Sequence, residues 1–213
     1  VQSLLRLNVS QLITIGGDDT AFSAMKLAEH ASGRLRVVHV PKTIDNDLNG
    51  TDVSIGVTTA IDVALEAIDR LKVTGASHQR AFLVEVMGRK CGYLALMAGL
   101  AGGADSIVIP EQEVDPEGVA ADLRAAYANG KAHAIVVVAE GARNSAENLE
   151  QYFKTHQQRI GFDLRVTRLG HIQRGAAPGA HDRILGTLLG SAAMDHLAEG
   201  RSGVLVGMIR GEV

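Results

Sequence analysis

Tryptophan is absent from this 213-residue chain, and aromatic residues together make up only 3% of it. A core must therefore be built from Val, Ile, Leu and Ala. The single cysteine, Cys91, excludes an internal disulfide and suits a reducing compartment, so a cytoplasmic protein is expected. Cationic excess is missing too. The formal net charge is −3, which removes the broad basic surface that nucleic-acid binding needs. No run reaches the roughly 18 consecutive apolar residues of a membrane helix, and no signal peptide opens the chain. Low-complexity linkers and internal repeats are also lacking. What remains is 46% hydrophobic and 21% charged, the make-up of a globular chain able to bury a sizeable core.

Strand-like and helical runs alternate along the sequence. Apolar stretches at 12–15, 36–40, 81–87, 106–109, 134–139 and 163–168 are too short for helices and rich in Val and Ile, and read as strands. Between them Val57, Ile61, Ala64, Leu65, Ile68 and Leu71 keep helical spacing. Helices are also predicted over 20–31, 94–101, 116–127, from about Ser145, and over 180–197, the third opened by Asp115 and Pro116. Such alternation predicts α/β architecture, with mostly parallel sheets covered by helices on both faces. The chain opens on residues 1–7, which read as the end of a helix, and stops just past a strand-like run at 204–209. A piece truncated at both ends is therefore expected.

Chemistry-bearing residues cluster after the strands. The run Pro41-Lys42-Thr43-Ile44-Asp45-Asn46-Asp47 sets a cation and two carboxylates at the end of one strand, where open α/β sheets bind ligands. Phosphoryl transfer needs that set: a carboxylate to accept a hydroxyl proton, others to hold Mg²⁺, and a cation for phosphate oxygens. Gly16-Gly17-Asp18-Asp19-Thr20 follows another strand and precedes a helix whose first N–H groups can face an anion. Alone it is equally an ordinary solvated connection, but adjacent strands would bring both acidic turns to one crevice. Met87-Gly88-Arg89 offers a close backbone approach and a planar fork for phosphate or carboxylate, or a plain surface arginine. Glu140 suits a sugar hydroxyl or a helix cap. Leu169-Gly170-His171-Ile172-Gln173-Arg174-Gly175 packs an imidazole, an amide and a guanidinium between glycines, as an anion site would. Arg80 and Arg165 fall near strand starts and read as solvated charges.

Taken in order, these motifs resemble the phosphofructokinase family: GGDDT at 16–20, PKTIDND at 41–47, SHQR at 77–80, EVMGRKCGYLAL at 85–96, PEQE at 110–113, VAEG at 138–141 and LGHIQRG at 169–175. The resemblance implies two Rossmann-like three-layer lobes with the active site between them. Residues 1–56 with 173–213 would form the phosphoryl-donor lobe, and 57–172 the fructose 6-phosphate lobe. It further implies Mg²⁺, with Asp18 and Asp47 as the metal carboxylates. Asp45 would be the base for the sugar's C1 hydroxyl, beside Thr43, Lys42 and Arg89. Gly17, Asp18, Asp19 and Lys42 would bind the donor. Thr43, Asp45, Met87, Gly88, Arg89, Glu140, His171 and Arg174 would bind the sugar phosphate. Arg80 and Arg165 would reach a neighbouring subunit's site, so a homodimer or homotetramer is expected.

Asp19 and Lys42 stand where the ATP-using pattern has glycines, and Ser23 departs from it as well. A carboxylate at 19 would repel a nucleotide's α-phosphate, and Lys42 can meet a small, highly charged donor as a point charge. Pyrophosphate is therefore the expected donor in a reversible glycolytic reaction, with ATP as the alternative. NAD and lipid kinases share a GGD turn but lack the TIDND and GHIQRG runs. A degenerate regulatory homologue need not have kept Asp18, Asp45, Asp47, Arg89 and Arg174.

Overall fold

The computed structural model describes residues 1–76 and 81–213. Its contacts divide the chain into two compact units, Val1–Thr58 with Pro178–Val213, and Thr59–Ala177.

The first unit is built on a parallel sheet. β1 (Gln11–Gly16) lies beside β2 (Arg36–Thr43), whose other edge pairs with β3 (Ile55–Gly56) near its end and with β8 (Val204–Leu205) near its middle. β2 is buried on both faces, which explains its nearly continuous apolar run. Leu35 and Val37 pack with Ala24 and Ala31 of α2 (Asp18–Ala31) and with Leu4 of α1 (Gln2–Arg6). Val38 and Val40 face Leu185, Leu189, Ala193 and Leu197 of α8 (Ala180–Ala198). Burying an aliphatic side chain of this size contributes about 1.5–3 kcal/mol, so the sheet's two covers define the unit.

The second unit has the strand order β5 (Ser106–Val108), β6 (Ala134–Ala139), β4 (Ala81–Val86), β7 (Leu164–Arg168), all parallel. Every residue of β6 is buried. One face packs on α5 (Pro116–Ala128) and α6 (Ala146–Thr155) through Val119, Leu123, Leu149 and Phe153. α4 (Tyr93–Ala101) packs against β5 and β6, and α3 (Val57–Ala76) leads into β4. Helix starts follow local chemistry: Asp115 accepts from the Glu117 N–H at 3.1 Å, and Ser145 from the Asn148 N–H at 3.3 Å. No helix among the described residues is long and apolar enough to cross a membrane.

Two sequence readings are corrected. The helix expected from Thr20 begins at Asp18, so both acids lie in its first turn, where the macrodipole favours them. The strand expected over 204–209 ends at Leu205. Met208 instead exchanges hydrogen bonds with the loop at Thr51 and Asp52. The GHIQR segment forms a 3₁₀ helix, Gly170–Arg174. The short α7 (Gln157–Ile160) and β3 have no sequence signal of their own.

Candidate active site

In the first unit, parallel pairing places the carboxyl ends of β1 and β2 side by side, with Gly16 opposite Pro41. The two acidic motifs therefore meet. A Cβ built on Gly17 would lie 3.5 Å from Thr43 Cβ. Asp18, Asp19, Lys42 and Asp47 are all exposed at this end, and Thr43 is half-buried. Asp45 differs: it is only 4% exposed, and its backbone N–H donates to Thr43 Oγ1 at 3.1 Å.

Asn46 explains how a carboxylate is held there. Its φ of 52° is left-handed, a conformation that Asn tolerates better than most residues. Its Oδ1 accepts the Ser54 N–H at 2.8 Å, and its Nδ2 donates to the Asp52 carbonyl at 3.0 Å. Ser54 Oγ lies 2.7 Å from the Thr43 carbonyl oxygen and closes the loop back onto β2. Neither Asn46 nor Ser54 was singled out from the sequence. An Asn between two aspartates in a turn is the signal that was available.

In the second unit the carboxyl ends of β6, β4 and β7 carry Glu140, the Met87-Gly88-Arg89 run and the GHIQR helix. Gly88 has φ 134°, and a Cβ there would approach the Cys91 carbonyl oxygen at 2.5 Å. A side chain on Gly141 would overlap the Arg89 carbonyl oxygen. These close approaches admit only glycine. Glu140 Oε1 accepts the Arg89 N–H at 2.9 Å, so this carboxylate ties two strand ends together. Arg89, Glu140, His171 and Arg174 are exposed on this side, while Met87 is buried.

Two further residues support this group. Gln173 is 2% exposed; its Oε1 accepts the Met87 N–H at 2.8 Å, and its Nε2 donates to the Ala60 carbonyl at 3.4 Å. Glu85 sits 3.6 Å from Arg168. Burial pushes its carboxyl above the ordinary range, Arg168 opposes that shift and the Glu140 charge adds to it. A carboxylate inside the apolar run Phe-Leu-Val-Glu-Val was the sequence signal for Glu85.

Arg165 does not join this group. It is the second residue of β7, whose carboxyl end carries His171 and Arg174, and it faces Asp163 at 3.4 Å. About 10 Å of strand separates it from that end. Arg80 lies outside the described residues. For the metal, no group of three or more His, Cys, Asp or Glu among the described residues could hold an ion alone. Mg²⁺ uses one or two carboxylates together with substrate phosphates, so the exposed Asp18 and Asp47 fit what it asks of a protein.

Comparison with known proteins gives a consistent set. The family described as Phosphofructokinase matches residues 1–197. The chain is 52% identical over 206 residues to "ATP-dependent 6-phosphofructokinase 1" of Thermus thermophilus, covering 96% of this chain and 62% of that protein. It is 43% identical over 208 residues to the ATP-dependent 6-phosphofructokinase of Bacillus subtilis, covering 98% of this chain and 63% of that one. Among solved structures it is similar to Pichia pastoris phosphofructokinase in the T-state, with TM-score 0.88 and 33% identity over 99% of this chain and 26% of that one. It is also similar to the pyrophosphate-dependent phosphofructokinase of Marinobacter aquaeolei, with TM-score 0.82 and 26% identity over 99% of this chain and 57% of that one. The chain thus spans less than two thirds of the length of these relatives.

Proposed function

Because the chain belongs to the phosphofructokinase family, we propose that the protein phosphorylates the C1 hydroxyl of fructose 6-phosphate. The observation that carries this reading is Asp45, a buried carboxylate whose backbone is held by Thr43 in a loop ordered by Asn46, beside the exposed Asp18, Asp19 and Lys42. Asp45 takes the proton from the C1 hydroxyl. The C1 oxygen then bonds to the transferred phosphorus as the bond to the donor's leaving oxygen breaks. Asp18 and Asp47 hold Mg²⁺, which neutralises charge on the donor oxygens. Thr43 steadies the transferred group. In the second unit Met87, Gly88, Arg89 and Glu140 bind the sugar, and His171 with Arg174 hold its 6-phosphate. The guanidinium forks suit a dianion.

ATP is the donor we assign first, since the Thermus and Bacillus relatives are named ATP-dependent. Pyrophosphate is a second reading, and a specific observation favours it. Asp19 and Lys42 both lie exposed at the carboxyl ends of adjoining strands, where a carboxylate opposes a nucleotide's phosphates and an ammonium suits a compact donor. The subunits form a homo-oligomer in which Arg165, near the start of β7 rather than at its carboxyl end, completes a neighbour's site. An assay of the full-length protein with fructose 6-phosphate, Mg²⁺ and each donor in turn tests the function directly.

A further inference from the structure

His39 stands in the middle of β2 and is 4% exposed. A polar ring in an apolar layer costs free energy unless both nitrogens are satisfied, and here both are. Nε2 lies 3.2 Å from the Gly16 carbonyl oxygen, and Nδ1 lies 2.9 Å from Thr14 Oγ1. A carbonyl oxygen only accepts, so Nε2 must carry the hydrogen. In the neutral ring Nδ1 is then an acceptor, and the Thr14 hydroxyl donates to it. That hydroxyl is also 3.5 Å from the Val38 carbonyl oxygen, a longer and poorer partner. Burial lowers the imidazole's pKa, with the Gly16 bond opposing, and this favours the neutral form.

Gly16 is the last residue of β1, and the next residues are Gly17, then Asp18 and Asp19 in the first turn of α2. The ring therefore grips the chain at the point where the donor-side acids leave the sheet. We infer that His39 is a positioning residue for the phosphoryl donor, holding Gly16 so that Gly17, Asp18 and Asp19 present one fixed geometry. The inference rests on the reading that donor and metal bind at those residues. Without that bond, the start of α2 loses the side-chain tie that His39 adds to the β1–β2 pairing at Gly16, while the sugar-side residues of the second unit keep their own supports.

Two readouts on the full-length protein decide it. His39→Phe keeps ring bulk and removes both bonds. His39→Gln keeps one N–H donor and one acceptor. Thr14→Val removes only the hydroxyl that bonds Nδ1. In His39→Phe the donor KM should rise about five- to tenfold, the worth of one such hydrogen bond, with the fructose 6-phosphate KM within about twofold of the parent. His39→Gln should recover most of that loss, and Thr14→Val should show a smaller change in the same sense. Backbone hydrogen exchange at residues 17–21, measured without substrates, should quicken in His39→Phe and return towards the parent rate in His39→Gln. Equal KM changes for both substrates, or unchanged exchange at 17–21, would overturn the inference. If His39→Phe does not fold, Thr14→Val and His39→Gln carry the same comparison. If the parent protein transfers no phosphoryl group yet exchange responds as described, the proposed function and the donor-positioning role both fail, and only the tie of His39 to the start of α2 stands. Transfer with no such response sinks the role alone.

Discussion

The side-chain oxygen of Gln173 accepts the backbone N–H of Met87 at 2.8 Å, across 86 residues of sequence. This one bond fastens the helix bearing His171 and Arg174 to the strand end bearing Gly88 and Arg89. Gln173→Leu preserves bulk but leaves a buried N–H without its acceptor, which should cost about 1–3 kcal/mol. Urea denaturation of the variant should show a loss of that size, with weakened fructose 6-phosphate binding. Unchanged sugar affinity would separate Gln173 from the proposed site.

Asp45→Asn keeps the shape of the side chain and removes its basicity. A positioned general base contributes about 10²- to 10⁴-fold. Turnover should fall by about that factor while fructose 6-phosphate affinity changes little. Near-normal turnover would move the base elsewhere, with Asp47 as the nearest carboxylate in sequence.

Much of this was legible in the sequence. The apolar run 134–139 is β6 residue for residue, because a strand buried on both faces has no polar position to blur its ends. The two acidic motifs meet because parallel strands align their carboxyl ends. What escaped was the holding role of particular residues, including Gln173, whose amide, read as part of an anion site, is buried and bonded to Met87 instead. Gln173, Asn46 and His39 act through backbone partners that lie far away in sequence or across a loop, and no local period marks them. The end of the last strand was misjudged for a related reason. Val206 is buried, but Met208 finds its partners in the 51–52 loop rather than in the sheet.

Glu117 gives a test of stability against pH. Its carboxylate accepts from Arg159 Nη2, the Tyr152 hydroxyl and Arg124 Nη2, each at 2.7 Å, and these bonds lower its pKa to about 2. A carboxylate with a depressed pKa stabilises the fold fully above the unfolded value near 4.5, and that contribution fades as pH falls towards about 2. The thermal midpoint of the parent should therefore exceed that of Glu117→Gln at neutral pH. The gap should close between those two values. A gap that stays constant through this window would show that the charge is not what joins these helices.

Arg165 tests the shared site. Its place near the start of β7 separates it from the sugar group of its own chain. Arg165→Ala and Asp45→Asn proteins should each be inactive, and mixing them should restore partial activity through sites that draw one intact residue from each chain. No recovery in demonstrably mixed oligomers, or a fully active monomer in sedimentation, would contradict the arrangement.

The most direct measurement is formation of fructose 1,6-bisphosphate by the full-length protein, with Mg²⁺ and with ATP and pyrophosphate supplied separately. The account requires Mg²⁺-dependent product from fructose 6-phosphate, with ATP as donor as in the named relatives. Product from pyrophosphate alone would pass the donor assignment to the reading built on Asp19 and Lys42, and Asp19→Gly with Lys42→Gly should then open the site to ATP. No fructose 1,6-bisphosphate with either donor would contradict the proposed function itself.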